Sequence, residues 1–202
     1  IIDMVAHTRL DCVAASAAIV RQGLSQAIHH AQHRKTFGRR LIEHDLMRNV
    51  LADLAIESEA AAVLTFRLAR AFGSDDPGEE AFARLGTAIG KYWVCKRAPA
   101  AVYEAMECLG GNGYVEEHSL ARLYRQAPLN SIWEGSGNVI CLDVLRAMGK
   151  EPAAVDSVRA ELAEAMGQDT RYDAFVLRLL SDLSSPEELE LRARRVVEDL
   201  AL

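Results

Sequence analysis

The chain has 202 residues, half of them apolar, and a net charge of -6, so it can bury a substantial core without disulfides. That charge gives no general attraction for nucleic acid or an anionic membrane, and no run approaches the roughly 18 apolar residues of a membrane span. Cys12, Cys95, Cys108 and Cys141 lie far apart, with no C-x-x-C pair and no Cys/His grouping at zinc spacing, and read as reduced, mostly buried thiols. The opening Ile1-Ile2-Asp3-Met4-Val5-Ala6 reads as the interior of something larger, with no basic-then-apolar leader, and a cytoplasmic setting is expected.

Helical periodicity dominates from the start. A long helix is predicted from about Arg9 to His33, ending before Phe37-Gly38. A second is predicted from Asp45 to Phe72, where Met47, Val50, Leu51, Leu54, Leu64 and Leu68 form one apolar stripe. Gly73 to Gly78 is a turn, and a third helix follows from about Glu79 to Leu109, stopped by Gly110-Gly111. A shorter helix is expected near Leu120 to Gln126, then a loop through Pro128 to Gly137 and a helix from about Val139 to Met148. Three more stretches follow near Ala153 to Met166, Arg171 to Leu183 and Pro186 to Leu200, the last with Ser185 as N-cap. Short connections imply antiparallel neighbours. The predicted fold is therefore all-α: an up-and-down four-helix bundle over 1-149 with a helical tail over 150-202.

Two segments are too unusual to be helix punctuation: His33-Arg34-Lys35-Thr36-Phe37-Gly38, and Ile132-Trp133-Glu134-Gly135-Ser136-Gly137-Asn138. Between them lies Leu109-Gly110-Gly111-Asn112-Gly113-Tyr114. Together they resemble the acyl-CoA dehydrogenase family, whose C-terminal bundle carries R-x-x-F-G, G-G-x-G-[FY] and Y-E-G-[TS] in this order. The resemblance covers roughly residues 1 to 148. Trp133 in place of Tyr, the run Ser131 to Arg146 and the helical tail resemble the AidB-like, alkylation-response branch of that family.

The resemblance implies an FAD-dependent dehydrogenation of an acyl-CoA thioester, with an N-terminal helical domain and a middle β-domain completing the cleft. Glu134 matches the base that takes the α-proton, a task suited to a partly desolvated carboxylate beside the thioester. Gly135 lets backbone approach the substrate closely. Arg9, in the pair Thr8-Arg9, matches an arginine near the active site and is assigned to substrate binding. Arg34 matches the arginine that meets the FAD pyrophosphate, which a guanidinium can grip with two parallel hydrogen bonds, and Phe37 the aromatic residue at the adenosine end. In the family both reach a neighbouring subunit's flavin, so a homo-oligomer, dimer or tetramer, is implied. Gly110, Gly111 and Gly113 match the turn that admits the cofactor, and Ser136 and Asn138 stand where Thr and Gln contact FAD.

Glu107 and Asp45 depart from the pattern, since both replace glutamines with carboxylates. His29, His30 and His33 share a helix region without a carboxylate partner and are read as helix surface rather than a metal site. The alternative function is a flavoprotein that binds double-stranded DNA, with Arg192, Arg194 and Arg195 as the compact candidate. The segment from Lys150 to Leu202 carries 7 Lys/Arg against 12 Asp/Glu, which favours a salted helix face.

Overall fold

The computed structural model describes residues 2-185 and 188-202. Among these the chain is all-α: α1 Ile2–His33, α2 Asp45–Phe72, α3 Pro77–Leu109, α4 Gly111–Tyr114, α5 Ser119–Gln126, α6 Gly137–Lys150, α7 Pro152–Ala163, α8 Thr170–Ser184 and α9 Leu189–Asp199. One short hairpin, β1 Lys35–Thr36 with β2 Arg39–Arg40, follows α1. Its two central residues, Phe37 (φ 49) and Gly38 (φ 82), are both left-handed, as a type I′ turn requires. The helical period conceals this hairpin, because each strand is only two residues long.

The residues group into two compact units. One comprises 11-65 and 94-133. Its core joins Val20, Leu24, Ala27 and Ala31 of α1, Leu51 and Leu54 of α2, Ala98, Ala105 and Met106 of α3, and Leu120 of α5. The three- and four-residue steps in α1 and α2 put each set on one helix face. Pro99 lies inside α3 without ending it.

The other unit comprises 1-10, 66-93 and 134-202. Here Asp76 accepts from the amides of Gly78 and Glu79 at the start of α3, satisfying donors that no helical partner reaches. Arg67 on α2 donates to Glu79 of α3 and Glu161 of α7, and its guanidinium lies over the Phe82 ring. Pro152 opens α7 and Asp169 caps α8. The expected Ser185-Pro186 cap falls partly outside the described residues: Ser185 closes α8, and α9 begins at Leu189. No helix among the described residues is long and apolar enough to cross a membrane.

Candidate active site

Within the second unit, the predicted base sits on a turn just before α6. Glu134 (φ 57) and Gly135 (φ 108) are both left-handed, a conformation that costs a non-glycine residue about 1–2 kcal/mol. A Cβ at position 135 would also lie 2.9 Å from Ile140 Cδ1. Gly135 is therefore required first by its left-handed backbone, the end of the Ile140 side chain being free to give way.

Two cations hold this turn by its successive carbonyls. Arg9 Nε donates to the Glu134 oxygen at 3.2 Å, and Lys91 Nζ, on a side chain buried in α3, donates to the Gly135 oxygen at 2.5 Å. Arg9 Nη1 also pairs with Asp143 of α6 at 2.6 Å. Arg84 and Arg146 face the same carboxylate at 3.5 and 3.6 Å. Burial pushes the Asp143 carboxyl up, but the Arg9 hydrogen bond and the charges of Arg84, Arg9 and Arg146 outweigh it and hold it below the usual aspartate value. Beside this cluster opens a cavity of about 1070 Å³, lined among others by Arg9, Phe72, Arg84, Thr87 and Asp143. The Glu134 side chain itself is exposed. The partial desolvation expected of a base is thus absent at this exposed side chain.

Ser136 precedes α6 as its N-cap residue, and Asn138 accepts from Arg194 Nε of α9 at 2.8 Å. Arg192 and Arg195 both pair with Asp182 of α8. Two of the three tail arginines thus share Asp182, and the third holds Asn138.

In the first unit a cavity of about 360 Å³ brings together Arg34, Gly110 and Gly111, with His30, Glu107 and Cys108 also on its wall. Gly110 has φ 59, and a Cβ added at Gly110 or Gly111 would meet no atom within 4 Å. Gly113 is different: a Cβ there would lie 2.2 Å from the Met106 carbonyl oxygen, so its lack of a side chain serves packing against α3. Phe37 is 96% exposed at the hairpin tip and lines neither cavity. Burial and then the Arg34 charge lower the pKa of His30. Glu107 accepts from Tyr103 Oη at 3.2 Å. Asp45 lies at the start of α2 beside Arg48, where a helix favours negative charge. No group of three metal-binding side chains occurs among the described residues.

A hydrogen-bonded chain in this unit, buried at Asn130, Ser16 and Cys95 but half exposed at Trp133, has no sequence signal. Trp133 Nε1 donates to Asn130 Oδ1, Asn130 Nδ2 to Ser16 Oγ, and Ser16 Oγ to Cys95 Sγ. It fixes the indole that precedes Glu134 in the chain. Sequence reasoning also missed Lys91, Asp143 and Arg194 as partners of the turn and of α6. Lys91 and Arg194 lie far from every motif, and Asp143 lies inside the recognised run with no role attached.

The family model for the acyl-CoA dehydrogenase C-terminal domain matches residues 1-149. AidB of Escherichia coli (strain K12) is 47% identical over 189 residues, covering 93% of this chain and 35% of its own length. The solved structure of Caenorhabditis elegans ACDH-11 in complex with C11-CoA superposes with a TM-score of 0.89 at 26% identity, covering 98% of this chain and 37% of that one. The butyryl-CoA dehydrogenase of Megasphaera elsdenii gives a TM-score of 0.68 at 26% identity, covering 74% of this chain and 38% of its own. The chain thus spans about a third of the length of the relatives it matches.

Proposed function

The chain belongs to the acyl-CoA dehydrogenase family, and on that premise we propose that it serves the α,β-dehydrogenation of an acyl-CoA thioester, with Glu134 as the base that takes the α-proton. The observation that carries this reading is the turn itself. A glutamate is held in an unfavourable left-handed conformation by Arg9 and Lys91 on two successive carbonyls, and its carboxylate is left exposed. Backbone strain of this kind persists where surrounding contacts over-determine it, as at active sites.

FAD is the cofactor of this reading. The residues present fit it: Gly110 and Gly111 leave open the space that side chains would fill, and Arg34 shares their cavity, offering paired donors to a pyrophosphate. Glu107 lies on the same wall, with the Tyr103 hydroxyl on its carboxylate. In the other unit Ser136 and Asn138 are the cofactor residues of this reading; in this one Phe37 is assigned to the adenosine end, and Gly113 is the packed base of the Gly110-Gly111 turn. When bound, FAD accepts the hydride from the substrate β-carbon.

This chain's part is to place and hold. Glu134 receives the proton at its carboxylate, whose desolvation comes from the substrate and the surfaces that close over it. The Glu134 amide, which has no acceptor among the described residues, suits the thioester carbonyl as an oxyanion donor. Arg9 has two donors already engaged, so it serves the substrate by fixing the turn. Gly135 permits the close approach of backbone to thioester.

Residues 1-149 form the family bundle and 150-202 a tail of the AidB-like branch. Assembly as a homo-oligomer would bring Arg34 and Phe37 to a neighbouring subunit's flavin, in the cytoplasm, where buried free thiols such as Cys12 and Cys95 stay reduced. The direct test is the absorbance of the flavin-loaded protein containing this chain, titrated with a panel of acyl-CoAs. Bleaching of the oxidised-flavin band supports the proposal, and a spectrum unmoved by every thioester rejects it.

A further inference from the structure

The tail reaches the residue next to the catalytic turn. Arg194 of α9 donates from Nε to Oδ1 of Asn138 at 2.8 Å, and its Nη2 lies 3.9 Å from where a Cβ on Gly137 would stand. A guanidinium has only donors, so it can meet only the oxygen of the amide. That settles the orientation of the Asn138 side chain on chemical grounds. The amide nitrogen is left with two donors that no acceptor takes among the described residues. With Arg194 on the oxygen, Asn138 presents its two amide N–H donors to a ligand.

The helix that carries Arg194 is itself well held. Ala193, Val196 and Val197 are buried, α9 packs on α6 and α8, and Arg192 and Arg195 bind Asp182 on α8. Arg67 ties α7 of the same tail to α2 and α3. The guanidinium is thus presented by a fixed element rather than by a loose end. The tail lies beyond residue 149, where the family match stops, so the family pattern does not supply this contact.

We propose that Arg194 is a positioning residue for the cofactor site: by holding Asn138 Oδ1 it fixes the amide as a donor to an acceptor atom of FAD, and so makes the C-terminal tail part of flavin binding. The inference rests on the assignment of Asn138 to FAD. An asparagine where the family has glutamine is shorter, and clamping its oxygen removes the remaining freedom of the amide, so less entropy is lost when a ligand is bound.

The test is a double-mutant cycle on the FAD dissociation constant of the protein containing this chain, read by flavin fluorescence, with the melting temperature of the flavin-free protein measured in parallel. Asn138→Ala should weaken FAD roughly tenfold, the loss of about one hydrogen bond. Arg194→Met keeps the aliphatic stem that packs and should weaken FAD several-fold while barely moving the flavin-free melt. In the Asn138→Ala background Arg194→Met should add nothing, whereas with Asn138 present Arg194→Lys, which still donates, should bind FAD nearly as tightly as the parent. Wild-type affinity in Arg194→Met beside a weakened Asn138→Ala overturns the positioning role alone. Additive losses, or a loss of affinity matched by a lowered flavin-free melt in both Arg194→Met and Arg194→Lys, overturn it equally. Wild-type affinity in Asn138→Ala instead removes the assignment of Asn138 to FAD on which the inference stands.

Discussion

Lys91, buried in α3, donates its ammonium to the Gly135 carbonyl, one peptide beyond the Glu134 carbonyl that accepts from Arg9. The two contacts fix the two successive peptides that follow the Glu134 Cα and so set where its side chain leaves the backbone. Lys91→Met fills the same space but donates nothing, so the turn should lose definition while α3 keeps its packing. Substrate-driven flavin reduction should fall about tenfold, roughly 1.4 kcal/mol in the barrier, with FAD content unchanged. Stopped-flow reduction at the wild-type rate would show that the Arg9 contact suffices.

Glu134→Gln removes the proton acceptor and leaves the shape. Its backbone conformation and both carbonyl contacts survive, so flavin content and melting temperature should stay within error of the parent. Reduction by acyl-CoA should drop by about 10²–10⁴-fold. Reduction that proceeds unchanged in this variant would exclude Glu134 as the base.

The long helices and three motifs were legible because helical period and glycine punctuation are local signals. α2 spans the predicted limits, and α3 starts two residues before its predicted first residue. The partners of the turn were not legible. Lys91 reads as an ordinary helical lysine, and only the fold brings its ammonium to position 135, 44 residues away. Arg194 looked like part of a charged helix face for the same reason, and nothing in the local pattern distinguishes it from Arg195, which pairs with Asp182. The hairpin at Phe37 was hidden because two-residue strands have no period to detect.

Asp143 links stability to acid. Its carboxyl sits below the usual aspartate value, so the folded protein releases that proton more readily than the unfolded chain. The stabilisation is complete above the unfolded value of about 3.9 and is lost as pH falls through the lower folded value. Asp143→Asn should melt lower than the parent at neutral pH by several degrees, on the order of 1–3 kcal/mol for arginines left without their partner. The two melting curves should draw together only as pH falls below the unfolded aspartate value and converge below the lower folded value. Parallel pH profiles would remove Asp143 from the acid transition.

Arg34 and Glu107 share one cavity wall with opposite charges, so their substitutions should act in opposite directions on FAD. Arg34→Ala removes charge-assisted donors and should raise the FAD dissociation constant by about 10- to 100-fold. Glu107→Gln removes a carboxylate from beside a pyrophosphate and should tighten binding. Equilibrium titration of flavin-free protein decides both, and a fully loaded Arg34→Ala protein would remove Arg34 from the flavin site.

Phe37 separates stability from binding most sharply. It holds a left-handed conformation (φ 49) while 96% exposed, so within this chain the side chain gains little from burial and the backbone carries a cost. Phe37→Gly should relieve about 1 kcal/mol of that cost, offset in part by the greater freedom of glycine in the unfolded chain. The flavin-free protein should therefore melt no lower than the parent. If the ring packs on the adenosine end of FAD, the same change should lower flavin occupancy, and Phe37→Tyr should restore it because the aromatic face is kept. A Phe37→Gly protein that binds FAD as tightly as the parent would leave the strained hairpin tip without a ligand to justify it. One that loses both stability and flavin would instead place the ring in an interface that the protein needs in order to fold.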